Sequence, residues 1–213
     1  MGRVRDKIAE TEVGLLRAAA TLFRDKGFAA TTVREIAKAA DMLPGSLHYR
    51  FASKESILLA LMDYAVEQAT EAVDAAISST HDPVEKLRLG VKAHLKLLLS
   101  GDDAVFVLLN EWRALSGEAR EAMVALRDRY EDFWDALMAE AVRAGRFRRD
   151  VDVKLLRLLG FGAVNSSAQW YQPGGRLSVD DIADAAWNIL AVGAFSEEER
   201  VRWALARAEG GSR

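Results

Sequence analysis

Apolar residues recur at helical spacing along almost the whole chain, and no segment has the apolar–polar alternation that is typical of a strand. The first such face consists of Ile8, Leu15, Leu16, Ala19, Leu22 and Phe23. We expect this helix to end at Lys26 and Gly27, because a basic last turn followed by glycine is a common helix end. The pattern predicts an all-α protein.

Two short helices are predicted next. Thr32-x-x-Glu35 is a capping box that opens the first of them. Asp41 follows this helix, and aspartate tolerates the left-handed backbone conformation that a tight turn needs. Pro44 suits the first position of the second short helix, where its missing N–H costs nothing.

The remaining pattern predicts six longer helices and a tail helix. The N-caps of four of these helices are expected at Ser53, Asp82, Ser178 and Ser196. The predicted ranges are about 54–77, 83–99, 103–115, 118–144, 152–172 and 179–194, with the tail from about 197. We expect a three-helix head of residues 1–54 and a larger helical bundle of residues 55–213.

Charge is distributed unevenly between these two parts. The chain has a net charge of −3, but residues 1–60 hold ten Lys/Arg and seven Asp/Glu, a balance of +3. The remaining residues hold nineteen Lys/Arg and twenty-five Asp/Glu, a balance of −6. A basic head on an acidic body is typical of a small nucleic-acid-binding domain joined to another domain.

Several classes of protein are excluded or disfavoured by composition. The absence of cysteine excludes disulfides, thiol catalysis and cysteine-ligated metals. No apolar run approaches the roughly 20 residues of a membrane span, and the N-terminus lacks the apolar segment of a signal peptide. We therefore expect a cytoplasmic protein with no membrane partner.

Two short helices joined by a tight turn, after a longer supporting helix, describe a helix-turn-helix. In the second short helix Leu47 and Phe51, four residues apart, can anchor one face. Ser46, His48, Tyr49 and Arg50 are then left to face outward, as DNA recognition requires. The alternative is that Pro44-Gly45 is an ordinary loop followed by a solvated polar face.

Residues 9–60 resemble the N-terminal DNA-binding domain of TetR-family transcriptional repressors. The stretches that carry the resemblance are "AAATLFRDKGFAATTVREIAKAADM" and "GSLHYRFASKESILLAL". The chain departs from the usual pattern at Asp41, where the family commonly has glycine, and at His48, where it commonly has tyrosine. Arg50 stands where the family often has histidine, so the operator sequence or the phosphate contacts are expected to differ.

The resemblance implies roles for individual residues on double-stranded operator DNA. The residues expected to contact DNA are Thr32, Arg34, Pro44, Gly45, Ser46, His48, Tyr49, Arg50 and Lys54. Those at the start of the recognition helix are expected nearest the bases. Tyr49, Arg50 and Lys54 are expected on the backbone, and phosphate contacts position a domain whereas base contacts specify the sequence.

The resemblance also implies that the larger domain binds a small molecule and carries the interface of a homodimer. Segments 152–172 and 179–194 are the expected interface helices, and the first is more apolar than one buried stripe requires. The interface residues expected from this pattern are Leu155, Leu159, Val164, Trp187 and Leu190.

Two further stretches, "EWRALSGEAR" and "NSSAQWYQPGG", are similar to a TetR subgroup that answers to acyl-CoA thioesters in fatty-acid or sterol degradation. An acyl-CoA needs an apolar tunnel and cationic groups for its phosphates. The expected ligand residues are Phe106, Asn110, Arg113, Arg127, Tyr130, Trp134, Asn165, Gln169 and Trp170. Alternatively, these aromatic residues form the core, the arginines pair with surface carboxylates, or the ligand is a hydrophobic drug-like molecule.

Two other functional classes compete with a ligand-responsive repressor. A helical enzyme of the di-iron type needs Glu-x-x-His pairs, which are absent, and His48, His81 and His94 are scattered. No glycine-rich phosphate loop occurs, so we expect no metal, no cofactor and no catalysis. The other alternative is a helical adaptor that binds protein without sequence-specific DNA binding.

Overall fold

The computed structural model describes the backbone of residues 2–210 and, within that span, the side chains of residues 11–206 and 208, apart from those of residues 190 and 192. Within this range the only β pairing is an isolated bridge between Phe147 and Phe195, so the all-α prediction is confirmed. The described helices are all too short or too polar to cross a membrane. The elements are α1 (Gly2–Lys26), α2 (Val33–Ala39), α3 (Pro44–Arg50), α4 (Lys54–Ile77), α5 (Pro83–Leu98), α6 (Asp103–Asn110), a 3₁₀ turn (Trp112–Ala114), α7 (Gly117–Arg143), α8 (Val153–Trp170), α9 (Val179–Ala194) and α10 (Glu197–Gly210).

Three local predictions between α1 and α3 are confirmed. The Glu35 N–H donates to Thr32 Oγ1 over 3.3 Å, and the Thr32 N–H donates to Glu35 Oε2 over 2.8 Å, which completes the capping box. Asp41 has a φ of 52° in the turn between α2 and α3. Pro44 is the first residue of α3. The two short helices therefore form the helix-turn-helix that the sequence pattern predicts.

The sixth helix, which was predicted for residues 103–115, ends earlier than expected. Helix α6 stops at Asn110, and the 3₁₀ turn Trp112–Ala114 replaces the remainder. The Asn110 side-chain amide donates to the Phe106 carbonyl over 2.8 Å. Asparagine side chains compete in this way for backbone groups, which favours the end of a helix over its continuation.

The chain divides into two compact units, and the first, the N-terminal unit, is not a continuous stretch. It comprises the residues up to Gln68 together with Gly101–Arg129. The unit limits differ from the boundary that we predicted between residues 54 and 55, because α6 and the first part of α7 complete the core of the N-terminal helices. Side chains of this shared core include Leu15, Phe23, Ile36, Leu47, Leu61, Val107, Leu115 and Leu126.

Polar contacts at one end of α6 hold it against α1. The Thr21 hydroxyl donates to Asp103 Oδ2 over 2.7 Å, and Arg24 Nη1 lies 2.5 Å from Asp103 Oδ1 and 2.9 Å from the Gly101 carbonyl oxygen. The hydrogen bond from Thr21, together with Arg24, lowers the pKa of Asp103. This cluster fixes the start of α6 beside the helix that supports the helix-turn-helix.

The second compact unit, the C-terminal unit, comprises Ala69–Ser100 and the residues from Tyr130 onward. Helix α5 packs against α8 and α9 within it. Gly90 allows one close approach, since a Cβ atom there would lie 3.0 Å from the Trp134 ring. The core of this unit is rich in aromatic residues and includes Val73, Leu87, Trp134, Phe147, Trp187 and Phe195.

Candidate functional site

Helix α3 presents a polar surface on an apolar anchor. Leu47 has an exposed fraction of 0% and Phe51 is also buried, which confirms the predicted anchoring face. Tyr49 has an exposed fraction of 94%. Ser46, His48 and Arg50 are exposed as well. The helix can therefore offer four hydrogen-bonding side chains to a partner while its other face stays in the core.

The surroundings of α3 leave room for close approach. Gly45 has no heavy atom within 4 Å of the place where a Cβ would stand, and Arg34 on α2 is exposed. Leu43, which precedes the exposed Pro44, has an exposed fraction of 76% and was not among the residues expected to contact DNA. An open depression beside α3 is also bounded by Glu12 of α1, so one carboxylate belongs to this surface.

The ammonium group of Lys54 is surrounded by backbone carbonyl oxygens. Its ammonium lies 2.6 Å from the Phe28 carbonyl oxygen, 2.7 Å from that of Thr31 and 3.2 Å from that of Ala29. An ammonium group has three N–H donors, so all of them are engaged within the unit. Lys54 therefore clamps the loop between α1 and α2, and the phosphate contact that the resemblance implied for it stays a prediction.

Thr32 is engaged in a similar way. Its hydroxyl lies 2.8 Å from Glu35 Oε2 and also accepts from the Glu35 N–H. The capping role predicted for Thr32 is confirmed, whereas its contact with phosphate stays a prediction. The exposed side chains of α2 and α3 are thus more available for contact with DNA than those of Thr32 and Lys54.

A small cavity lies within the C-terminal unit. It has a volume of about 60 Å³. Trp134 of α7, Trp187 of α9 and His94 of α5 contribute to its lining. The other lining side chains are apolar and include Leu87, Val91, Met138, Leu156, Phe161 and Val164. Such an apolar cavity with one polar side chain has the composition of a small-molecule site.

His94 is the polar centre of this lining, although it was not among the ligand-binding residues expected from the sequence. Its Nδ1 lies 2.8 Å from the Tyr130 hydroxyl and its Nε2 lies 2.9 Å from Asn165 Oδ1. Because an amide oxygen only accepts, Nε2 carries the proton, and a neutral ring accepts at Nδ1 from the tyrosine O–H. Leu87, Val91 and His94 lie at helical spacing, and this lone histidine on an apolar face was the available signal.

Burial sets the protonation of this cluster. It lowers the pKa of His94, against the opposing effect of the Asn165 hydrogen bond. Burial also raises the pKa of Tyr130 to about 12, and the neighbouring Trp134 indole opposes that rise. At neutral pH both side chains are therefore uncharged, as befits a site for an apolar ligand.

The nine residues expected to bind ligand are divided between the two compact units. Trp134 lines the cavity, and Tyr130 and Asn165 reach it only through His94. Gln169 and Trp170 are exposed. The other four, Phe106, Asn110, Arg113 and Arg127, belong to the N-terminal unit. Sequence spacing within a helix could not show which of these residues share a cavity.

A buried ion cluster also escaped the sequence analysis. Arg157 of α8 has an exposed fraction of 4%. Its guanidinium lies 2.7 Å from Glu131 Oε2 and 2.6 Å from Asp135 Oδ1, both on α7. A charge on an otherwise apolar helix was the signal for it, because arginine is buried only when it is paired.

The expected interface residues divide into exposed and buried groups. Leu155 and Leu159 are exposed on α8, whereas Val164 and Trp187 lie in the core of the same chain. The side chain of Leu190 is outside the described residues. Leu158 is exposed as well, and Ile189, which was not among the expected residues, has an exposed fraction of 75%. Helices α8 and α9 therefore both carry apolar side chains that one chain leaves uncovered.

Comparison with known proteins agrees with this architecture. A model described as "Bacterial regulatory proteins, tetR family" matches residues 15–61, and one described as "Tetracyclin repressor-like, C-terminal domain" matches residues 80–194. The first match covers the helix-turn-helix. The second covers α5 to α9, including the cavity.

Individual relatives extend the match over nearly the whole chain. The HTH-type transcriptional repressor KstR2 of Rhodococcus jostii is 31% identical over 85% of this chain and 90% of its own. KstR2 of Mycobacterium tuberculosis H37Rv is 29% identical over 92% of this chain and 99% of its own. The structure of AibR in complex with isovaleryl coenzyme A and operator DNA has a TM-score of 0.74 and 30% identity, over 84% of this chain and 97% of that one. The chain therefore belongs to the TetR family of bacterial regulatory proteins.

Proposed function

We propose that this protein is a ligand-responsive transcriptional repressor that binds operator DNA as a homodimer and is released by an acyl-CoA thioester. The observation that carries DNA binding is helix α3. Its polar side chains are exposed while Leu47 and Phe51 hold its other face in the core. A short helix arranged in this way is suited to the major groove.

The homodimer is supported by the apolar surface of the C-terminal unit. Leu155, Leu158 and Leu159 of α8 and Ile189 of α9 each have at least half of their surface exposed. Two copies would cover these side chains and place two recognition helices about 34 Å apart, or a multiple of that distance, on a near-palindromic site. Sedimentation at micromolar concentration tests the dimer, and a monomer there would contradict the proposal.

Within the DNA-binding surface we assign two roles. Ser46 and His48, near the start of α3, read base edges, whereas Arg34 and Arg50 contact phosphates. Replacement of His48 by alanine should change the ranking of operator variants. Replacement of Arg50 by alanine should weaken all of them about equally and reduce the salt slope by about one.

The effector assignment rests on the cavity and on the relatives. AibR has been crystallised with isovaleryl coenzyme A and operator DNA together, so a relative at 30% identity binds both kinds of partner. The cavity of about 60 Å³ is smaller than the roughly 300–1,000 Å³ of sites for drug-sized ligands. We therefore propose that only the acyl end enters it, and that a larger acyl group requires the surrounding helices to separate.

Release of DNA requires that the ligand binds one conformation better than the other. Helices α4 and α7 each contribute residues to both compact units, and we assign the coupling to them. A hundredfold loss of operator affinity corresponds to a coupling free energy of about 2.7 kcal/mol, which is ordinary for allosteric proteins.

The experiment is an operator titration with acyl-CoAs, the free acids and free CoA, measured side by side. We expect release by thioesters only. Equal release by a free acid would remove the nucleotide part from recognition, and no release by any thioester would contradict the proposed effector while leaving DNA binding intact. A protein that binds no DNA in a selection from random duplexes would instead favour the adaptor.

A further inference from the structure

Leu43 is an aliphatic side chain that the N-terminal unit leaves in solvent, directly before the recognition helix α3. Its exposed fraction is 76%, against 39% for Val124, another exposed aliphatic residue of the same unit. The preceding residue, Met42, packs against the core of this unit. The chain therefore turns outward at Leu43. Single exposed leucines are common on protein surfaces, so the exposure matters here only together with a second observation.

Leu43 is also the N-cap of α3, a position at which leucine is unfavourable. Serine, threonine, aspartate and asparagine are preferred there, because a side-chain oxygen can accept from a free N–H group of the first turn. The N-caps of α2, α5, α6, α8 and α9 all make such a hydrogen bond, whereas Leu43 makes none. One position thus forgoes a helix cap and exposes an apolar side chain, and the fold gains from neither.

The backbone nevertheless holds Leu43 in a fixed place. The residue is extended, with a φ of −71° and a ψ of 136°. Its carbonyl oxygen accepts from the Ser46 N–H over 3.0 Å and from the Leu47 N–H over 3.3 Å. Because an extended residue does not follow the helical repeat, Leu43 does not share the buried face of Leu47. Its side chain is instead exposed next to Pro44, on the surface that we assign to DNA.

We propose that Leu43 is a specificity-determining residue that packs against the 5-methyl group of one thymine in each half of the operator. The inference rests on the proposed function, because it requires α3 to lie in the major groove. It goes further, because it adds an apolar contact to the hydrogen bonds that we assign to Ser46 and His48. The thymine methyl is the apolar group in the major-groove pattern of the base pairs.

The chemistry of leucine favours this partner over the other groups of a duplex. Leucine has no hydrogen-bond donor, so it can bond neither to a phosphate nor to the polar base edges. Contact with a methyl group removes apolar surface of both partners from water. Burial of one such group corresponds to about fourfold in affinity, and therefore to roughly fifteenfold when both half-sites contribute.

The experiment exchanges thymine for deoxyuridine in the tightest duplex that the protein selects from random duplexes. The exchange removes the 5-methyl group and keeps the base pair. It is made at each thymine in turn, in both half-sites together. The wild type should lose roughly fifteenfold in affinity at one symmetric pair of thymines. In Leu43→Ser that loss should disappear, because the side chain that contacts the methyl group is gone.

Two further variants and a stability measurement serve as controls. Leu43→Met keeps an apolar side chain and should retain the response to deoxyuridine. Val124→Ser removes an exposed aliphatic side chain of α7 and should retain it in full. Leu43→Ser should also raise the Tm by about 2–4 °C, because serine supplies the missing cap. A lower Tm in Leu43→Ser would show that Leu43 serves the fold, and would overturn the inference.

The outcomes separate this inference from the proposed function. If the wild type binds its selected duplex and no exchange for deoxyuridine weakens binding, DNA binding stands and the role of Leu43 is wrong. The same holds if Leu43→Ser weakens all duplexes equally and keeps the response to deoxyuridine, since the leucine would then contact DNA without reading it. A wild type that selects no duplex would overturn both proposals.

Discussion

The cores of the two compact units differ in the kinds of side chain that they contain. The core of the N-terminal unit is aliphatic with a few phenylalanines, and Thr31, the one buried polar side chain among the described residues of that unit, is hydrogen-bonded to the backbone. The core of the C-terminal unit is aromatic and contains a histidine cluster, a buried arginine and unpaired indole donors. The two units thus differ in where they keep their polar side chains, although both are all-α and belong to one chain.

In the N-terminal unit polar groups are kept outside, where they cap helices or face a partner. A satisfied apolar core makes that display surface rigid, because close-packed side chains resist displacement. In the C-terminal unit polar groups are kept inside, where each one costs stability unless it is paired.

The largest expected effect is on the buried arginine. Arg157→Leu should destabilise the protein by about 3 kcal/mol, because it leaves the carboxylates of Glu131 and Asp135 close together without a cation to pair with. The matched control is Arg129→Leu, whose pair with Asp63 spans 3.4 Å and is largely exposed. The control should change the free energy of unfolding by at most about 0.5 kcal/mol. Equal effects in denaturant titrations would remove the contrast between the two units.

The next effect is on the clamp in the N-terminal unit. Lys54→Met keeps the aliphatic stem but removes three hydrogen bonds to carbonyl groups, so we expect a loss of about 2 kcal/mol in the free energy of unfolding. The salt slope of DNA binding should be unchanged. Arg50→Ala should do the opposite, with a slope smaller by about one and a stability change within about 0.5 kcal/mol. If Lys54→Met reduced the salt slope, the lysine would be a phosphate contact after all.

A pH effect should separate the polar core from the apolar one. Burial lowers the pKa of His94 below its ordinary value of 6.5. The unfolded chain then binds more protons than the folded one as pH falls below 6.5, so stability is full above that pH and is lost below it. The expected slope is at most about 1.4 kcal/mol per pH unit. His94→Gln should lack this dependence, and a histidine-like slope that persists in the variant would assign it elsewhere.

The smallest effects concern the capping box of α2. Thr32→Ala should cost about 1 kcal/mol, and Thr32→Ser should retain most of that stability because it keeps the accepting oxygen. Thermal unfolding of the two variants beside the wild type is the measurement. A loss in the serine variant equal to that in the alanine variant would show that the threonine methyl group, rather than the cap, is responsible.

The same box gives a second pH dependence at lower pH. A hydrogen bond from Lys26, followed by those from Thr32, lowers the pKa of Glu35 to about 2. Because the folded pKa is below the ordinary value of 4.5, this contribution is present above pH 4.5 and is lost as pH falls towards 2. In Glu35→Gln the free energy of unfolding should depend less on pH in that window. An unchanged pH dependence in the variant would mean that the Glu35 carboxylate does not contribute to stability between these pH values.

Features with local causes could be predicted from the sequence, and features with distant causes could not. The capping box, the left-handed Asp41 and Pro44 at the start of α3 depend on residues a few positions apart. The partners of Lys54 lie 23 to 26 residues away, and His94 meets Asn165 across 71 residues. Helical periodicity states that a residue is on a buried face but not which residue it meets there. For this reason the recognition surface was anticipated more fully than the cavity.

The discontinuous N-terminal unit bears on how such regulators can be recombined. A fragment that ended at residue 54 would lack Val107, Leu115, Leu126 and their neighbours, which complete its core from residues 101–129. Replacement of the C-terminal unit therefore needs three cuts and not one, after residues 68, 100 and 129, with the 101–129 segment kept in place. A single crossover would leave an exposed apolar surface on the N-terminal unit. The two units are therefore inherited more easily together than apart.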